Sequence, residues 1–157
     1  ALDPTRPVID TSGNYHTQTD LYDVHDYEQD VDAFAAHYAP MEADGPVYDW
    51  CGWQHYGGQP YWVSEYGGIL WDSHQEGGWG YGHGPESPEE YVRRFIGLTR
   101  VLMKNPRICG LCYTQLYDVE QEKNGIYTYD RQPKFTQAQM EQLRQALCAP
   151  AAIEEAP

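Results

Sequence analysis

The sequence predicts an α/β fold built on a parallel sheet, on three observations. Strand-like and helix-like periods alternate along the chain. Residues 108–114 (ICGLCYT) make a nearly continuous apolar run, the pattern of a parallel strand covered on both faces. Ser87-Pro88-Glu89-Glu90 is a strong helix opening, with a good N-cap, proline at the first position and acids at the positive end of the dipole.

The elements follow in order. Residues 6–10 (RPVID) are expected as a short strand, and 11–20 as a polar loop. Residues 21–25 (LYDVH) alternate apolar and polar and suit a second strand. From 30 to 43, Val31, Phe34, Ala35 and Tyr38 recur at a helical period, which Pro40 and Gly45 should close. Residues 44–60 are rich in Gly, Tyr and Trp without a period, long enough for a functional loop. Residues 61–64 (YWVS) form a strand ending at Glu65, with Gly67-Gly68 behind it. The helix opened by Ser87 carries Val92, Phe95, Ile96, Thr99 and Met103 on one face and should stop near 104–106. After the 108–114 strand comes a polar loop over 115–134, then an amphipathic helix over 136–147. Residues 149–157 are expected to be a disordered tail.

Composition excludes several functions. With 24 acidic against 10 basic residues, the 157-residue chain carries a formal charge of −14 and has no basic patch for nucleic acid or an anionic membrane. No apolar run approaches a membrane span, and no leader peptide is visible, which leaves the cytoplasm as the default location. Four cysteines are too sparse for a disulfide framework. Cys109 and Cys112 have a C-x-x-C spacing, yet inside a buried strand with no second pair they read as core thiols. The six histidines lack ligand spacing, so neither a metal nor another cofactor is expected. The run 77–84 (GGWGYGHG) lacks the G-K-[ST] of a phosphate loop and suits a mobile aromatic lid.

Function in a parallel α/β fold gathers where loops leave the C-terminal ends of strands. Those positions hold residues 10–14, 25–27, 65–68 and 113–122, all polar, aromatic or acidic. Glu65 closes an apolar strand before two glycines, so a bulky group could approach its carboxylate. Five tryptophans (50, 53, 62, 71 and 79) within thirty residues could stack sugar faces. Glycoside hydrolysis needs two carboxyl groups. Glu65 could be one, whereas nothing local marks Asp118, Glu120 or Glu122 as the proton donor.

Four motifs then carry a resemblance: Asp3-Pro-Thr-Arg-Pro-Val8; Asp23-Val-His-Asp-Tyr-Glu-Gln-Asp30; Ser64-Glu-Tyr-Gly-Gly68; and Cys112-Tyr-Thr-Gln-Leu-Tyr-Asp-Val-Glu-Gln-Glu-Lys-Asn-Gly125 with Thr128-Tyr-Asp-Arg-Gln-Pro-Lys134. Together, over residues 2 to 136, they resemble the C-terminal half of the catalytic barrel of family 2 glycoside hydrolases, the β-galactosidase, β-glucuronidase and β-mannosidase group. The resemblance implies strands five to eight of a (β/α)8 TIM barrel within residues 1–148. A complete barrel needs about 250 residues. It implies Glu65 as nucleophile, Tyr27 as the tyrosine that hydrogen-bonds it, and a substrate pocket of His25, Trp71, Tyr113, Gln115, Asp118 and Glu120.

The family's acid/base Glu follows an Asn, and the chain contains no Asn-Glu pair. The expectation is therefore a portion of a retaining β-glycosidase, β-galactosidase-like, acting on terminal β-linked sugars and inactive alone. Its partners would be a carbohydrate and the missing half of the barrel or a second copy of the chain. The rival reading is a non-catalytic carbohydrate-binding or scaffold module.

Overall fold

A computed structural model describes residues 3–72 and 77–155. In chain order the elements are β1 (Tyr22–Asp26), α1 (Val31–Glu42), β2 (Tyr61–Gly67), α2 (Pro88–Met103), β3 (Ile108–Thr114), α3 (Gln137–Leu147) and a one-turn α4 (Ala152–Glu155) in the tail. The strands form one parallel sheet in the order β1-β2-β3, open at both edges.

Local chemistry explains the helix starts. The Asp30 carboxylate accepts the Asp32 and Ala33 N–H groups at 3.0 and 2.9 Å, and the Ser87 hydroxyl accepts the Glu90 N–H at 3.2 Å. Thr136 and Gln139 form a reciprocal capping box. α1 packs on α2, and α2 on α3. Phe34, Tyr38 and Met41 of α1 and Tyr91, Phe95, Leu98 and Leu102 of α2 are buried in a core with Val24, Tyr61, Val63 and Tyr66 of the sheet.

Successive strand residues face opposite sides. Val24 and Asp26 turn to the helix-covered core, and Asp26 accepts hydrogen bonds there from His37 (2.7 Å) and Tyr38 (3.0 Å). Asp23 and His25 turn to the other side, with residues 12 and 13 laid against them. That side carries the polar residues.

Three expectations are corrected. Residues 6–10 are not a strand: Pro7 has no N–H to give a ladder, Val8 is half-exposed, and its N–H and C=O pair with Asp20 instead. The helix expected over 30–43 is α1, which ends two residues beyond Pro40 and is followed by Gly45, whose N–H bonds back to the Pro40 carbonyl. Cys109 and Cys112 are exposed, not core thiols, because β3 is an edge strand without a second covering layer. The glycine-rich run is tied down: Trp79 pairs with Gln121 and Lys123, and Tyr81 N–H donates to the Gly68 carbonyl at 2.9 Å. Residues 73–76 of that loop, including His74, lie outside the described residues.

Candidate active site

The strand β2 would normally turn Ser64 and Glu65 to opposite faces. The register of β1 against β2 slips between Val24 and His25, so that Val24 pairs with Val63 while His25 pairs with Glu65. This bulge puts the Ser64 and Glu65 side chains on the same polar face, a device found beside many active sites. The Ser64 hydroxyl donates to Asp23, and the Glu65 carboxylate receives the Tyr27 hydroxyl on Oε2. His25 Nδ1 stands 3.4 Å from the same oxygen, and its Nε2 meets the Ser12 hydroxyl at 3.1 Å.

Tyr27 is held from the other side by Tyr81, stacked at 3.5 Å and nearly parallel. Gly68 makes that stack possible: a Cβ there would lie 2.4 Å from the Tyr81 ring, and its φ of +58° suits glycine. Burial and the neighbouring Glu65 carboxylate push the Tyr27 hydroxyl far above its ordinary pKa, so it stays a donor at all working pH values. Partial burial, then the Glu65 charge, also hold the Cys112 thiol above its ordinary pKa. Asp23 is buried and engaged with Ser64 and the Gly13 N–H (2.8 Å).

The structure thus brings Glu65, Tyr27 and His25 together, and it does not bring the remaining candidates to them. Tyr113 pairs with Tyr66 in the sheet and faces α2, with its ring 4.4 Å from Phe95 and its hydroxyl 2.7 Å from that of Tyr91. Asp118 is buried in an ion pair with Lys134 at 2.5 Å, which makes it structural. Gln115 donates to Asn124 at 2.8 Å, beyond a cis peptide after Thr114. Glu120 is exposed at a tight turn closed by Val119 and Glu122. Trp71 packs towards Phe135 (6.4 Å), and its indole N–H is buried without a partner among the described residues.

The tryptophans do not converge either. α1 returns the chain to the N-terminal end of the sheet, so Trp50 and Trp53 lie there, clustered on Tyr15 at 5.3 and 5.2 Å. Trp79 belongs to the loop after β2. Sequence reasoning gave no role in the site to Ser12, Ser64, Asp23 or Tyr81 individually, although each lies in a stretch it singled out: a strand-end loop, two motifs and the glycine-rich run. A cavity of about 890 Å³ is lined by Asp26, Tyr27, His37, Tyr48, His83 and Arg94, among others, and Glu65 is not part of its lining. Among the described residues no three His, Cys, Asp or Glu side chains are grouped as a metal site, and no helix is long and apolar enough to cross a membrane.

No family model matches the chain, and no curated protein matches it. Solved structures do. A Bifidobacterium dentium β-glucuronidase complexed with coumarin-3-O-glucuronide is 24% identical, with a TM-score of 0.52 over 85% of this chain and 22% of its own. A Bacteroides uniformis β-glucuronidase is 20% identical, with a TM-score of 0.51 over 73% of this chain and 14% of its own. An exo-β-agarase is 12% identical, with a TM-score of 0.52 over 82% of this chain and 17% of its own. The likeness at these identities is one of fold. The chain spans less than a quarter of the length of each of these structures.

Proposed function

We propose that this chain is part of the catalytic barrel of a retaining β-glycosidase, supplying β1, β2 and β3 as its last three barrel strands within residues 1–148, with Glu65 as its nucleophile. The observation that carries the reading is the convergence on Glu65: a bulge aims the carboxylate out of the sheet, and a tyrosine hydroxyl and an imidazole both settle on Oε2. That leaves Oε1 to attack the anomeric carbon, forming the glycosyl–enzyme ester as the C–O bond to the leaving group breaks. Tyr27, kept protonated, holds Oε2 and so keeps Oε1 aligned on the anomeric carbon as the ester forms. Similarity in fold to β-glucuronidases and an agarase supports the same class.

The leaving oxygen needs a proton from a second carboxylic acid about 5 to 5.5 Å from the nucleophile. Asp23, the buried carboxylate on the same face, is bound by Ser64 and Gly13, and Asp118 is held by Lys134. The acid/base therefore comes from outside these residues, from the remainder of the barrel or a second copy of the chain laid over the open polar face, and these residues alone are a poor hydrolase. General acid assistance is worth about 10² to 10⁴ in rate. The sugar is a neutral one, galactose-like. Arg6 pairs with Asp3 and Arg131 stacks on Tyr117, so neither of these cations is turned to Glu65.

The test is hydrolysis of p-nitrophenyl β-galactoside and β-glucuronide by the chain alone and mixed with a polypeptide supplying the remaining barrel strands. Activity in the mixture that Glu65→Gln abolishes supports the proposal. Retention of that activity in the variant removes Glu65 from the chemistry, and sugar binding without turnover in every mixture favours the binding-module reading.

A further inference from the structure

The geometry points to Ser12 as a positioning residue that sets the proton of His25 and, through it, the carboxylate of Glu65, an inference that rests on Glu65 being the nucleophile. The His25 ring lies between two groups of different kind: Nδ1 faces Glu65 Oε2 at 3.4 Å, and Nε2 meets Ser12 Oγ at 3.1 Å. A neutral imidazole has one N–H and one lone pair. If the N–H were on Nε2, the Nδ1 lone pair would point at a carboxylate oxygen and repel it. With the N–H on Nδ1, the ring donates towards Glu65 and accepts the Ser12 hydroxyl proton at Nε2, so both contacts are favourable. Which nitrogen carries the proton is thus set by the partner of the other.

The loop that brings Ser12 is built for the purpose. Gly13 follows at φ +57°, and a Cβ there would lie 2.0 Å from His25 Cδ2, so only glycine lets the loop lie against the ring. Its N–H is anchored on Asp23 at 2.8 Å. Three residues on, His16 bridges Asp10 at 2.8 Å and the Asp23 carbonyl at 2.9 Å, and Gln54 accepts the His16 N–H at 2.6 Å. The ring can therefore neither turn over nor lose its hydroxyl partner without displacing the strap. His25 then presses a second donor on the oxygen that Tyr27 already holds, which keeps Oε1 as the attacking atom.

The experiment reads the tautomer directly by long-range ¹H–¹⁵N correlation of the histidine rings, at mildly alkaline pH, in the wild-type chain, Ser12→Ala, Ser12→Thr and His25→Gln; the last assigns the signals. The expected result is an Nδ1–H tautomer of His25 in the wild type, its loss or mixing with the Nε2–H form in Ser12→Ala, and its return in Ser12→Thr, with the His16 signals unchanged throughout. An Nε2–H tautomer in the wild type, or an unaltered Nδ1–H tautomer in Ser12→Ala, overturns the role of Ser12. This readout needs no turnover, so it stands or falls separately from the assignment of Glu65, which Glu65→Gln tests by activity.

Discussion

Replacing Lys134 by methionine should be among the most damaging single changes in the chain, although it touches no proposed catalytic group. Lys134 Nζ is 2.5 Å from Asp118 Oδ1, with side-chain exposures of 1% and 2%. It also donates to the carbonyls of Trp71 at 2.8 Å and Lys123 at 3.3 Å, joining the loop after β2 to the loop after β3. Burial draws the ammonium pKa down, opposed by the hydrogen bond and charge of Asp118. Methionine keeps the length of the stem but leaves a buried carboxylate with the Gly125 N–H, at 3.0 Å, as its remaining hydrogen bond among the described residues.

Breaking one side of such a pair costs about 3 to 5 kcal/mol. A single domain is stable by about 5 to 15 kcal/mol in all. At about 2 to 4 °C per kcal/mol, melting should fall by roughly 6 to 20 °C. Urea unfolding followed by tryptophan fluorescence measures the loss as a shift in midpoint at constant slope. The double change Lys134→Met with Asp118→Asn removes both charges and should recover at least half of it. A loss below about 1 kcal/mol in the single variant, or strictly additive losses in the double, would refute the account of this pair as a buried, coupled interaction.

Three further outcomes follow from the same reasoning. Tyr27→Phe removes a hydrogen bond to a carboxylate about one-third exposed, so its worth is discounted for solvent to about 1 kcal/mol, and formation of the glycosyl–enzyme should slow roughly five- to tenfold; unchanged rates would deny Tyr27 its role. His16 lies between Asp10 and Asp23, and although burial opposes its charge, its hydrogen bonds and the two carboxylates hold its pKa above 6.5. A raised histidine stabilises fully below its unfolded pKa and loses that contribution as pH climbs through the folded value. Melting temperature should therefore decline from pH 6.5 upwards more steeply in the wild type than in His16→Gln; parallel curves would show that the bridge contributes nothing. Gly68→Ala drives a methyl against Tyr81 and Tyr27 at positive φ, and should cost about 1 to 3 kcal/mol in urea unfolding, with the Tyr27–Tyr81 stack displaced.

Much of the fold was legible in the residues. Ser87-Pro88 and Thr136 with Gln139 start their helices where cap chemistry says they must, and the apolar run at 108–114 is a strand of that span. Glu65, Tyr27 and His25 were legible as strand-end residues and by family resemblance, because the parallel register brings β1 and β2 ends side by side. What escaped was set by tertiary geometry. A bulge at Ser64 leaves no local pattern, and the approach of Ser12 to His25 depends on a loop folding back across the sheet. Asp118 looked like a mouth residue by position but is paired with a lysine sixteen residues later. Tyr113 sits at a strand end yet faces the helices, because side chains alternate along a strand.

The central claim is tested most directly by covalent capture. A 2,4-dinitrophenyl 2-deoxy-2-fluoro-β-galactoside carries a leaving group that departs without a proton, so the acid/base residue is not required, and the fluorine slows breakdown of the ester. The account predicts one fluorosugar per chain by intact mass, mapped by peptide sequencing to Glu65 and absent from Glu65→Gln, with the glucuronic acid counterpart reacting more slowly. Attachment to any other carboxylate, or equal labelling of the Gln variant, would contradict it.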